Sequence, residues 1–143
     1  MNIVVKINEE LLKNNSSTPD LTSMFLYFEH EGICFPSDDW IDNPAVVFGW
    51  WFYSLKQMLD GESGQGFSFM EGPFCLDATL SDGILELSSL KEKISWQVEL
   101  KEFGLALIKG MNCASRIFHK MNMKEVSKEI ESNMADLKFL LKE

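Results

Sequence analysis

Hydrophobic positions change period along the chain, and the changes mark out its elements. Ile3, Val5 and Ile7 fall on one side of an extended segment, the period of a strand. Residues Asn14 to Asp20 are dense in turn formers and read as a loop. Thr22 to Glu29 is rich in aromatic and other apolar residues, as a largely buried strand would be. Glu31-Gly32 can close a two-residue hairpin onto Ile33-Cys34-Phe35, setting Phe28 opposite Phe35, and Pro36 ends that strand.

The period then lengthens. From Pro44 to Asp60, Val47, Phe48, Trp51, Phe52, Leu55, Met58 and Leu59 recur at helical spacing. Asn43 is placed to cap this helix, Pro44 to open it and Gly61 to stop it. Trp50 and Tyr53 fall outside the main stripe, which predicts that the helix is covered on more than one side. Gly61 to Gly66 reads as a flexible connection, followed by Phe67-Ser68-Phe69 and a Gly72-Pro73 break.

Asp82-Gly83 is the clearest local signal, a two-residue hairpin turn. That register sets Leu80 opposite Leu85 and Ala78 opposite Leu87, with Thr79–Glu86 and Asp77–Ser88 as the polar pairs. Ile94 to Val98 alternates in the same way. Leu100, Phe103, Leu107, Met111, Ala114, Ile117, Phe118 and Met121 predict a helix from about Glu99 to Met121. Asn122 with Glu125 resembles a capping box opening a last helix, whose apolar side is Val126, Ile130, Met134, Leu137 and Leu141.

These elements predict an α+β fold. The expectation is a mainly antiparallel sheet of about six to seven strands, with one central helix and two C-terminal helices packed on it. No repeat of fixed period and no dividing linker is visible, so residues 1–143 read as a single domain.

Composition narrows the class. Hydrophobic residues make up 45% of the chain, with 11 Phe and 4 Trp, too apolar for a largely disordered protein. No apolar run reaches the roughly 20 residues that span a bilayer. The amino terminus, MNIVVKINEELL, lacks the pattern of an export signal. Cys34, Cys75 and Cys113 are odd in number and widely spaced, which fits a reducing compartment and a cytoplasmic location.

Thirteen Lys and Arg against 22 Asp and Glu give a net charge of −9. Such a surface repels nucleic acid and anionic membrane and steers basic partners, so neither nucleic acid nor membrane is expected as a partner. The same acidity also aids solubility, and that reading stands beside the first.

Chemistry-bearing patterns are sparse. The histidines are His30 and His119 alone, and a His30–Cys34 pair across the proposed hairpin does not make a zinc site. Asp38 to Asp42 lacks the central Gly and terminal Glu of a calcium loop. Gly61 to Gly66 matches neither phosphate-binding glycine pattern, so no metal and no cofactor are expected. A thiolate at Cys34 activated by His30 would be the route to a small Cys/His hydrolase, with no third orienting group to name. Cys75 and Cys113 read as buried structural thiols.

What stands out is acidic and aromatic together. Asp38, Asp39, Trp40 and Asp42 form one compact loop, and Glu71 beside Gly72-Pro73 forms another. Trp near carboxylates suits an interface whose partner supplies Lys or Arg. The competing reading is that Trp40 staples the start of the helix while the aspartates cap it and favour its dipole.

The runs Phe35-Pro36-Ser37-Asp38-Asp39-Trp40, Gly49-Trp50-Trp51 and Phe69-Met70-Glu71-Gly72-Pro73 resemble small bacterial immunity proteins of contact-dependent inhibition and related polymorphic-toxin systems. The resemblance implies a cytoplasmic, non-catalytic protein that binds a cognate toxin domain, often a nuclease, and blocks its active site or substrate surface. A nuclease presents a basic surface to its substrate, which an acidic inhibitor can match. Asp38, Asp39, Trp40, Asp42 and Glu71 are the expected contacts, on charge and loop placement. A regulatory or adaptor domain is the alternative role.

Overall fold

In a computed structural model of the chain, residues 1–9, 22–62 and 66–142 are described. The loop expected at Asn14 to Asp20 lies outside the described residues, as does the middle of the Gly61–Gly66 connection. Eight strands are present among them: β1 (Asn2–Ile7), β2 (Met24–His30), β3 (Ile33–Phe35), β4 (Ile41–Asp42), β5 (Phe67–Ser68), β6 (Cys75–Ser81), β7 (Ile84–Ser89) and β8 (Ile94–Glu99). Three helices among the described residues join them: α1 (Pro44–Leu59), α2 (Leu100–Lys120) and α3 (Lys124–Leu141). The fold is α+β, and every strand pairing is antiparallel.

The strands divide into two four-stranded sheets. In the first, β2 is central, with β1 on one side and both β3 and β4 on the other. In the second the order is β5-β6-β7-β8. Turn chemistry sets both hairpin registers. Glu31 and Gly32 have φ of 52° and 77°, and Asp82 and Gly83 have 52° and 76°, the paired positive values that match the twist of antiparallel strands. Phe28 stands opposite Phe35, Leu80 opposite Leu85, and Ala78 opposite Leu87, as the alternation predicts.

Asn43 caps α1 through its side-chain oxygen, which accepts from the Ala45 N–H at 3.0 Å, and Pro44 follows at the first helical position. Gly61 (φ 88°) closes the helix: its N–H bonds to Met58 O and that of Glu62 to Gln57 O. Asn122 does the same for α2 with φ of 65°, its N–H meeting His119 O while the Met123 N–H meets Phe118 O. This corrects the capping-box expectation. Asn122 stops one helix rather than starting the next, and α3 begins after Met123 with no side-chain cap. Asn serves both positions because it tolerates the left-handed region and also carries a capping oxygen.

The core is one contiguous cluster drawn from both sheets and all three helices. Aromatic rings fill its centre: Phe28 stacks on Trp51 at 4.6 Å, and Phe67 meets Phe103 at 4.7 Å. Two side chains of α1 also reach the carbonyls of the β5 edge, Trp51 Nε1 donating to Ser68 O (2.7 Å) and Ser54 Oγ to Gly66 O (2.8 Å). That edge is thereby blunted against further strand pairing. Trp50 and Tyr53, expected under a second cover, instead face outward, 47% and 60% exposed.

Candidate functional site

The acidic loop arises from an interruption in one strand. Opposite β2, pairing runs from Ile33 to Phe35 and resumes at Ile41. Between the Phe28–Phe35 and Phe25–Ile41 pairs, β2 contributes only Leu26 and Tyr27, whereas the facing chain contributes residues 36–40. Pairing stops at Pro36, whose ring holds φ at about −65°, short of the roughly −140° of an antiparallel strand. The surplus bulges outward, and a single bond from Leu26 N to Trp40 O (3.0 Å) guides the chain back. Within the bulge Ser37 Oγ donates to Asp39 Oδ1 at 2.7 Å, and Asp38 and Asp39 are exposed.

A second loop, Phe69 to Phe74, connects β5 to β6 and is closed by Phe69 N to Phe74 O at 3.0 Å. The fold brings the two loops together through Asp42. This carboxylate is fully buried, on the face of the sheet shared with Met24, its strand partner. Its Oδ2 accepts from Trp40 Nε1 (2.9 Å) and from the backbone N–H groups of Met70 and Glu71 (3.2 Å each). Its Oδ1 accepts from Asn43 N at 2.8 Å. One side chain therefore ties the bulge of the first sheet, the loop of the second and the start of α1.

Aromatic packing completes the junction. Trp40 meets Phe74 edge-on at 5.0 Å and Phe69 at 6.2 Å, and Phe35 meets the same two rings at 6.0 Å. Gly72 lies directly under the indole: a Cβ there would stand 2.6 Å from Trp40 Cη2. The resulting surface carries Asp38, Asp39 and Glu71, all exposed, beside half-buried Trp40 and Met70, which is 37% exposed. Neither segment 36–42 nor 69–74 contains a Lys or Arg.

Four of the five expected contact residues thus lie on one junction with some surface to offer. Asp42 is the correction: it has no exposed surface and serves as the internal tie. Its role was missed because a buried carboxylate and a displayed one look alike in sequence. The one local signal was its position just before the Asn43-Pro44 cap. The competing reading set Trp40 as a staple on the start of the helix; the ring contacts it makes are with Phe69 and Phe74 of the second sheet's loop.

The proposed Cys34–His30 pair is not formed. Cys34 stands opposite Glu29 and His30 opposite Ile33, so alternation sends their side chains to opposite faces of the hairpin. His30 turns its ring edge-on to Trp96 at 5.4 Å and reaches Glu31 Oε1 at 3.2 Å. Burial, then the charges of Glu29 and Asp38, push the Cys34 thiol above its ordinary range, the reverse of nucleophile activation. Burial likewise raises Cys113, whose thiol donates to Val5 O at 3.5 Å. Among the described residues no three His, Cys, Asp or Glu side chains converge to hold a metal ion. No helix among them is long and apolar enough to cross a membrane.

No protein-family model, curated protein or solved structure matches the chain.

Proposed function

We propose that this chain is a cytoplasmic protein-binding module whose recognition surface is the acidic, aromatic junction. Within that reading it acts as an immunity protein that neutralises a basic, nuclease-type toxin domain without catalysis. One observation carries the proposal. Two loops from different sheets, both acidic and both free of Lys and Arg, are held side by side by the Asp42 tie and the Trp40–Gly72 contact. A fixed backbone displaying Asp38, Asp39 and Glu71 supplies charge for steering, and Trp40 and Met70 supply apolar area for anchoring.

The test uses the toxin-like reading frame nearest the gene encoding this chain. Its product should arrest cells alone and be harmless when this chain is co-expressed. The triple variant Asp38→Asn, Asp39→Asn, Glu71→Gln should slow association by at least about tenfold at low salt and flatten its salt dependence. Protection by the triple variant equal to the parent's, with unchanged association kinetics, would overturn the assignment of the surface.

A further inference from the structure

A second surface has the opposite sign. α2 and α3 run antiparallel, and near the start of α2 and the end of α3 a groove of about 230 Å3 lies between them. Its walls are Lys101, Leu105 and Ile108 from α2 and Lys138, Leu141 and Lys142 from α3. Gly104 creates the notch: the space a Cβ would fill there is taken by the Leu141 side chain, so the helices close tightly and leave a recessed apolar floor. Leu105 is 64% exposed on one wall, and Phe139, next to Lys138, is 66% exposed.

No carboxylate lines the groove, and none of the three lysines forms an ion pair with a described residue. Glu102, the acidic neighbour of Lys101, is engaged by the ammonium group of Met1. On a chain of net charge −9, three ammonium groups with no ion-pair partner among the described residues gather around apolar side chains.

We propose that this groove docks an acidic amphipathic helix of a partner protein. A trough between two helices accepts the ridge of a third, whereas an added strand would need free backbone N–H and C=O groups that helix flanks lack. Leu105, Ile108 and Leu141 receive apolar side chains recurring at i, i+3 and i+4, while the lysines meet Glu or Asp on either flank of that stripe. A nucleic acid would use the lysines and leave the apolar floor unfilled, and an anionic bilayer would be repelled by the rest of the surface. This surface is independent of the acidic junction, and its partner has the opposite charge.

The experiment titrates the full chain against two fluorescein-labelled peptides of about 16 residues with identical apolar stripes, one flanked by Glu and one by Lys. Fluorescence anisotropy should show saturable binding of the Glu peptide, at least about tenfold tighter than the Lys peptide. Amide chemical shifts should change at Leu105, Ile108 and Leu141. The double variant Lys138→Glu, Lys142→Glu should reverse the preference. Leu105→Glu should weaken binding by at least about tenfold while leaving the circular dichroism melt unchanged, since the residue is exposed. Equal binding of both peptides, binding of neither, or shifts centred elsewhere would overturn the proposal. So would preferential binding to vesicles of about 30% phosphatidylserine, which would make the groove a membrane contact.

Discussion

Asp42→Ala is the sharpest perturbation this fold offers. The substitution leaves four N–H groups without their acceptor: Trp40 Nε1 and the backbone amides of Asn43, Met70 and Glu71. A stranded donor costs about 1–3 kcal/mol, and the lower end is taken because these four bonds are only partly buried. The sum is about 4 kcal/mol, against a total stability of roughly 5–15 kcal/mol for a domain. Asp42→Asn keeps the shape and one oxygen. With that oxygen toward the three-donor side, its amide meets the Asn43 N–H, so the loss falls to about 1–2 kcal/mol. Urea unfolding followed by far-ultraviolet circular dichroism reads these losses directly, with an unchanged m value. Thermal midpoints should fall by roughly 12–16 °C for the alanine variant, at about 3–4 °C per kcal/mol for a chain of this length. Asp38→Ala and Asp39→Ala should stay within about 0.5 kcal/mol of the parent. An Asp42→Ala protein within about 1 kcal/mol of the parent would refute the tie.

Three further outcomes follow from particular contacts. Gly72→Ala drives a Cβ into the Trp40 ring and should cost about 1–3 kcal/mol, most of it recovered in a Trp40→Phe background; an additive double-mutant cycle would count against the contact. Gly83→Ala forces an alanine to φ of 76° and should cost about 1–2 kcal/mol by chemical denaturation, while unchanged stability would deny the turn its conformation. With its pKa raised, the Cys34 thiol holds less thiolate at any pH near 8 than a free cysteine. Its alkylation by iodoacetamide should therefore be slow and rise at higher pH, and Asp38→Asn should speed it by removing one of the causes. A rate indifferent to Asp38→Asn would show that the carboxylate is not felt at the thiol.

Much of the architecture was legible because its signals are local. Asp82-Gly83 and Glu31-Gly32 carry the dihedral preferences of their turns in two residues each, and register follows from alternation alone. Asn43-Pro44 and Gly61 bracket α1 by the same logic. What escaped depends on partners distant in sequence. The break between β3 and β4 is visible only against Leu26 and Tyr27, and Asp42 acquires its role from amides 28 and 29 residues away. Asn122 was misread because two opposite helix-end roles favour the same residue. The Cys34–His30 pair fails on information already in the sequence, since the register that sets Phe28 opposite Phe35 also sets Cys34 opposite Glu29. Trp50 and Tyr53 mark the limit of pattern reading: large apolar side chains outside a stripe do not say whether anything covers them.

The Asp42 tie has a consequence for how this surface can change over generations. Two of the four donors that it gathers are main-chain amides at positions 70 and 71, and every residue except proline supplies one. The loop's anchorage is thus indifferent to the side chains it carries. Substitutions at Met70, Glu71, Asp38 or Asp39 can rewrite charge and shape while the scaffold beneath them stays as it was. A lineage under pressure to track a shifting counterpart would find variation here inexpensive, and variation at Asp42, Trp40 or Gly72 ruinous.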